Sequence, residues 1–343
     1  MYTILCIMTC RHFLKKNEWI TNVLGLREHK VRSNPLVSVE LTELRKKGIA
    51  AMITHLRLKA YGKINLALDV LGRRENGYHD VRMVMQTIYL YDEVKLTKKK
   101  EPGIELTTNL GFLPTGDTNI AYKAAKLLIE EFGISEGVKI VLNKHIPVAA
   151  GLAGGSSDAA AVLFGMNRMF GLHLQQKDLM ERGVKLGADV PYCIMRGTVL
   201  AEGIGEELSV LPAMPKCTVL IAKPPVSVST KVVYEALDSE EIIEHPDIDA
   251  LIEGLRQKDL HRISENMGNV LEDVTIPMHP VIEELKQVMR ENGAIGAMMS
   301  GSGPTVFGLF ENRAAAREAQ RKIRESGLTK QVYVTNVHNV RRK

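Results

Sequence analysis

Four short stretches hold the residues whose types and spacing could do chemistry. The first, PVAAGLAGGSSDAAA over residues 147–161, sets three glycines, two serines and one acid among small apolar residues. Glycines let backbone N–H groups converge on an anion, and a helix beginning there would add unpaired donors and the positive end of its dipole. Ser156 and Ser157 are placed to cap that helix or to bind a phosphate oxygen, and Asp158 in its first turn would suit the dipole. The stretch lacks the lysine of a Walker A loop, G-x-x-x-x-G-K-[ST]. Either the lysine comes from elsewhere, or this is a packing turn that lets helix and sheet approach closely.

Two lysines are candidates for the missing cation, because phosphoryl transfer is mainly positioning and neutralisation of charge on the moving group. Lys63 lies in the strand-like AYGKINLALDV, and Lys144 lies just before the glycine stretch. The blander reading of each is a solvated strand lysine. In GADVP, Asp189 is the one carboxylate of a short apolar loop after a helix, which suits a base or the partner of a cation. It could equally cap a turn. In MSGSGPT, the turn Ser300, Gly301, Ser302, Gly303 and Pro304 is either a hairpin or a flexible backbone that closes over phosphates.

The elements that must position these residues follow from periodicity. From Leu56 to Val70 apolar residues alternate with Arg57, Lys59, Tyr61, Lys63, Asn65 and Asp69, the pattern of a strand with one buried face. Lys63 and Asn65 then point together from the other face. Asn76–Gly77 signals a turn into a second β-rich run, VRMVMQTIYLYDEVKL. Residues 117–132 read as a helix with Asp117 or Thr118 near its cap and Gly133 as its stop. VKIVLNKHI is a strand leading into the glycine stretch, Asp158–Phe170 a helix, and 177–186 another. GTVLAEGIGEEL is a strand and turn. Leu211–Pro215, with two prolines between apolar strands, marks a domain boundary. Beyond it come the strand CTVLIAKPP, a largely helical run over 229–292, the strand pair in AIGAMMSGSGPTVFGLF, a charged helix over 313–325 and a last strand, QVYVTNVHNV. Strands and helices mixed without βαβ alternation predict an α+β protein of two α/β sandwiches, with domains at 52–213 and 214–343.

Composition narrows the function. The chain of 343 residues carries 45 Lys and Arg against 40 Asp and Glu, a net charge of +5. Nine of those basic residues and four acids fall in residues 1–51, so the other 292 residues carry 36 of each sign and balance to zero. A nucleic-acid binder should carry its basic footprint on the folded domain, so that class is disfavoured. No run approaches the ~18 apolar residues of a membrane span. Cys6, Cys10, Cys193 and Cys217 form no C-x-x-C pair, which fits a cytoplasmic protein without a metal site. Residues 1–51 read as a leader outside the fold. Arg45-Lys46-Lys47-Gly48 can be encoded by a purine-rich run three codons before Met52, like a ribosome-binding site read through, which makes Met52 the expected start. A basic targeting extension is the other reading, and four glutamates count against it.

Together, P-x-x-x-G-L-x-G-G-S-S-D-A, the early strand with its lysine and the late S-G-S-G-P turn resemble the three motifs of the GHMP kinases, in order and spacing, over residues 56–343. The resemblance implies the two-domain GHMP kinase fold. It also implies MgATP as phosphate donor, a small-molecule alcohol as acceptor, and a monomer or homodimer. AYGKINLALDV, NGYHD and LGADVPYC look most like the branch whose substrate carries a cytidine diphosphate. On that resemblance Lys63 and Asp189 are catalytic, and Pro147, Val148, Ala149, Ala150, Gly151, Leu152, Ala153, Gly154, Gly155, Ser156 and Ser157 wrap the ATP phosphates. Lys144 and Asn119 then lie toward the nucleoside and Asn65 near the substrate hydroxyls. Tyr78 and His79 grip the cytidine end, and Tyr234 supplies the other side of a stack on the base or else packs in the core. Alternatives are a homoserine or mevalonate type of GHMP kinase and a catalytically silent nucleotide-binding member. Tyr78–His79 beside the turn speaks against the first, and Lys63 with Asp189 in intact motifs against the second.

Overall fold

A computed structural model describes residues 53–239 and 244–340. The expectations for residues 1–51 and Met52 lie outside the described residues. Two long strands, β1 (His55–Arg73) and β2 (His79–Lys99), form an antiparallel hairpin through the Asn76–Gly77 turn. They are the spine of a seven-stranded sheet. In it β3 (Ile104–Thr108) pairs with β4 (Gly137–Asn143), which flanks β2. β5 (Thr198–Glu202) also pairs with β2 and carries β6 (Glu207–Val210). The sheet is mixed, because β3–β4 and the pairing of β1 with β8 (Gly268–Asn269) are parallel. Neither β3 nor β8 is evident in the sequence pattern. β8 lies past the Leu211–Pro215 boundary, yet it joins the larger sheet.

The single-faced strand expected over 56–70 holds only in its first third. From Ala60 to Val70 every residue is buried. The ladder to β2 shifts register between Tyr61 and Lys63 and again between Asn65 and Ala67. Each such irregularity swaps which face a residue meets. Leu56, Leu58 and Ala60 join one core cluster, Ile64 and Leu66 the other, and Leu68 and Val70 return to the first. Lys63 and Asn65 therefore do not point to solvent as the alternation predicts; both are buried.

Helices cover one side of the larger sheet. α1 (Ile120–Phe132) is capped by Asn119, whose side chain accepts from the Ala121 N–H, rather than by Asp117 or Thr118. α2 (Gly154–Met169) follows the glycine stretch and starts four residues earlier than the sequence suggests. It crosses the hairpin at Gly165, where a Cβ would come 2.3 Å from Leu96 and 2.8 Å from Leu58. α3 (Gln176–Val184) and α4 (Asp189–Met195) complete this layer. A four-stranded antiparallel sheet, β11-β7-β10-β9, comprises β7 (Thr218–Lys223), β9 (Gly296–Met299), β10 (Val306–Phe310) and β11 (Gln331–Asn336). The helices α5 (Thr230–Leu237), α6 (Ile248–Gln257), α7 (Leu260–Glu265), α8 (Glu272–Met278), α9 (Val281–Glu291) and α10 (Arg313–Ser326) accompany it. Fully buried residues such as Leu58, Ile64, Leu128 and Phe307 each contribute about 1.5–3 kcal/mol.

Candidate active site

A cavity of about 1110 Å³ brings together the residues that the sequence scatters. Its lining includes Lys63, Asn65, Tyr78, His79, Asn119, Lys144, Asp189, Tyr234, the loop backbone at 147–151 and 153–156, and Gly301, Ser302 and Gly303. Three expected residues do not line it. Leu152 packs its side chain in the core, while its carbonyl accepts the Lys63 backbone N–H at 3.1 Å. Ser157 is buried, and its hydroxyl donates to the Tyr61 carbonyl instead of capping the helix or facing a phosphate. Ser300 is fully buried and donates to the Gly151 carbonyl at 3.0 Å.

The glycine stretch owes its shape to backbone conformation. Ala149, Gly151 and Ala153 all have positive φ, and Ala153 precedes α2 with no side-chain cap, so the first N–H groups of the helix stay open. Gly151, at φ +72°, approaches the late turn so closely that a Cβ would lie 2.0 Å from the Ser300 carbonyl oxygen. That turn is held from behind by Asn269 on β8, which donates to the carbonyls of Met299 (3.0 Å) and Gly301 (2.9 Å). Sequence reasoning missed Asn269, because its role depends on the β1–β8 pairing.

Lys144 is not the free cation the sequence suggests. Its ammonium sits between Asp92 and Asp158, the latter at 2.5 Å, with all three side chains buried. Burial works against the Lys144 charge, but Asp158 and Asp92 outweigh it and raise its pKa. Asp158 is not a first-turn acid serving the helix dipole. Burial raises its pKa, Lys144 works in the opposite sense, and nearby Asp92 adds to the rise. Asp92 also accepts the backbone N–H groups of His145 (2.5 Å) and Ile146 (2.8 Å). The triad thus clamps β2, the end of β4 and α2 beneath the loop.

Lys63 is different. Its ammonium donates to Asn65 Oδ1 at 2.7 Å and lies 3.9 Å from Asp189 Oδ2, an ion pair too long for a hydrogen bond. Asp189 is the first residue of α4 rather than part of a loop, where the helix N-terminus favours a carboxylate. Its side chain is 35% exposed against 6% for Lys63, so the pair opens into the cavity from the carboxylate side. A carboxylate so exposed beside a buried ammonium can accept a proton from a molecule in the cavity.

The far end of the cavity is aromatic. Tyr78 is exposed, and the His79 ring lies 4.8 Å from that of Tyr234 at 41°. Burial pushes the Tyr234 hydroxyl up to about 12. His79 Nε2 is 2.6 Å from Asp238 Oδ1, and Arg73 Nη1 is 3.2 Å from Asp238 Oδ2. Neither Arg73 nor Asp238 stands out in the sequence, although an acid closing a helix is a weak signal.

The fold agrees with what related proteins show. Residues 119–197 match the GHMP kinases N terminal domain, and residues 251–328 match the GHMP kinases C terminal description. A 4-diphosphocytidyl-2-C-methyl-D-erythritol kinase of Lachnospira eligens is 58% identical over 280 residues, 82% of this chain and 97% of that protein. A solved 4-(cytidine 5'-diphospho)-2C-methyl-D-erythritol kinase superposes with a TM-score of 0.71 at 32% identity, covering 82% of this chain and 99% of its own. A homoserine kinase from Cytophaga hutchinsonii shares the fold at 22% identity and a TM-score of 0.67, covering 85% of this chain and 98% of its own. The chain belongs to the 4-diphosphocytidyl-2-C-methyl-D-erythritol kinases of the GHMP superfamily.

Proposed function

We propose that this chain transfers the γ-phosphoryl group of ATP to the 2-hydroxyl of 4-diphosphocytidyl-2-C-methyl-D-erythritol, giving the 2-phosphate and ADP in non-mevalonate isoprenoid precursor synthesis. The observation that carries it is one cavity holding the Lys63–Asp189 pair between an anion-binding loop and an aromatic end. In this reading the open N–H groups at the start of α2 bind ATP phosphates, with Asn119 toward the nucleoside. Asp189 takes the proton of the 2-hydroxyl as its oxygen bonds to the γ-phosphorus and the bond to ADP breaks. Lys63 holds Asp189 and the reacting oxygen, and Asn65 fixes the Lys63 ammonium. Tyr78, His79 and Tyr234 take the cytidine. Lys144 shapes the loop through its carboxylates rather than by reaching the nucleotide.

Magnesium would arrive with the nucleotide, since Mg²⁺ on phosphates needs only one or two protein oxygens. Among the described residues no cluster of three or more His, Cys, Asp or Glu could hold a metal. Ser156, Asp158 and Asp189 line the cavity near the glycine stretch, and Asp158 Oδ1 is buried without a hydrogen-bond partner while its Oδ2 holds Lys144, so these side chains are fitting donors. The ion would supply charge neutralisation on the phosphates.

Residues 52–213 and 214–343 are read as the two domains, in a cytoplasmic monomer or homodimer. No helix among the described residues is long and apolar enough to cross a membrane. A coupled ADP-release assay with Mg²⁺, ATP and each of the diphosphocytidyl substrate, homoserine and mevalonate tests the function. Turnover is expected only with the first, and activity on mevalonate instead would overturn the substrate assignment.

A further inference from the structure

Asp238 stands where helix chemistry disfavours it. It closes the C-terminal end of α5, where aligned carbonyls carry partial negative charge and a cation would be stabilising. Its two oxygens serve the cavity instead, one on Arg73 at 3.2 Å and one on His79 at 2.6 Å. Arg73 is a fixed cation paired with this carboxylate, which is therefore an acceptor, and the hydrogen in the contact to His79 belongs to Nε2. In a neutral imidazole, Nδ1 is then an acceptor. The ring has little freedom to turn over, because its side chain is 9% exposed and lies against Tyr234. All four residues, Arg73, His79, Tyr234 and Asp238, line the cavity beside Tyr78.

We propose that Asp238 sets the nucleobase preference of this cavity by holding His79 in its Nε2–H form. Nδ1 then accepts from the exocyclic amino group of cytosine and meets the O4 carbonyl of uracil acceptor to acceptor. The inference rests on the reading of Tyr78 and His79 as the cytidine-binding end. Asp238 touches no reacting atom; it is a positioning residue.

Replacement by asparagine should invert the preference, not merely weaken it. In Asp238→Asn, Arg73 still only donates and draws the amide oxygen to itself. The amide N–H₂ then faces His79 Nε2, which must accept, and the ring proton moves to Nδ1. That form donates to the uracil O4 and opposes the cytosine amino group.

The test compares kcat/KM for the diphosphocytidyl substrate and its uridine counterpart in the full chain, with long-range ¹H–¹⁵N spectra of His79. In Asp238→Asn the cytidine value should fall at least about tenfold and the uridine value rise, moving their ratio about a hundredfold, the scale of unpaired buried polar groups. The His79 signal should change from Nε2–H to Nδ1–H. Asp238→Ala, which releases the ring, should erase the preference without inverting it. A folded Asp238→Asn protein that keeps its cytidine preference, or keeps His79 as Nε2–H, overturns the proposal. Failure of the wild-type chain to turn over the cytidine substrate would sink the functional reading instead, and the His79 spectra would still decide what Asp238 does.

Discussion

Lys63 and Lys144 line the same cavity and are almost equally buried, at 5% and 8% exposure, yet their surroundings give them opposite jobs. Lys144 faces two carboxylates at hydrogen-bond range, so its charge is spent inside the protein. Lys63 has a neutral amide at 2.7 Å and its single carboxylate at 3.9 Å, which leaves its ammonium able to gain from a further anion. Burial alone does not single out the lysine proposed to be catalytic. What separates the two is how much negative charge each already holds.

The sharpest way to break this contrast is to remove each ammonium in turn. Lys144→Met leaves Asp92 and Asp158 buried without a cation and should cost about 3–5 kcal/mol in denaturant unfolding. Lys63→Met should cost no more than about 1–2 kcal/mol, since only one hydrogen bond and a half-open pair are lost. Equal losses would erase the distinction.

Turnover should rank the lysines the other way. Lys63→Met and Asp189→Asn are each expected to lower kcat at least about a hundredfold, the low end of general-base effects, with the KM for ATP little changed. Undiminished turnover in Asp189→Asn would remove that carboxylate from the mechanism.

Gly151→Ala probes the loop that both lysines support. Its Cβ would collide with the Ser300 carbonyl at a positive φ, so strain of about 1–3 kcal/mol should surface as a raised KM for ATP more than a lowered kcat. The smallest effect is expected from Asp158→Asn, which leaves Lys144 paired with Asp92. Because burial raises the Asp158 pKa above its unfolded value, the wild-type carboxylate becomes a growing liability as pH rises from about 4. The asparagine variant should therefore gain stability relative to wild type as pH rises. Thermal unfolding at several pH values would show a constant difference if Asp158 were not surplus charge.

Much of the site was legible because its determinants are local. The glycine stretch, its following helix, the Asn76–Gly77 turn and the late glycine turn depend on residues adjacent in the chain, where backbone freedom is written directly in composition. Helix starts were legible only to within a few residues. Asn119 took the cap expected of Asp117 or Thr118, and α2 began at Gly154 without a side-chain cap. The mistaken expectations for Lys144, Ser157, Asp158 and Ser300 share one cause. Each side chain is claimed by a partner distant in sequence: Asp92 lies 52 residues from Lys144, Tyr61 lies 96 from Ser157, and Gly151 lies 149 from Ser300.

By itself the sequence determined most of the strands, helices and glycine turns, though not β3 or β8, in an order that marks a GHMP kinase. Only the tertiary structure decided which lysine is less fully neutralised, which carboxylate faces the cavity and which acid holds His79. Propensity and periodicity act over a few residues, whereas the charge around a buried side chain is set by whatever the fold packs against it. In β1, two register shifts against β2 turned Lys63 and Asn65 inward, and no alternation within a single strand could announce that.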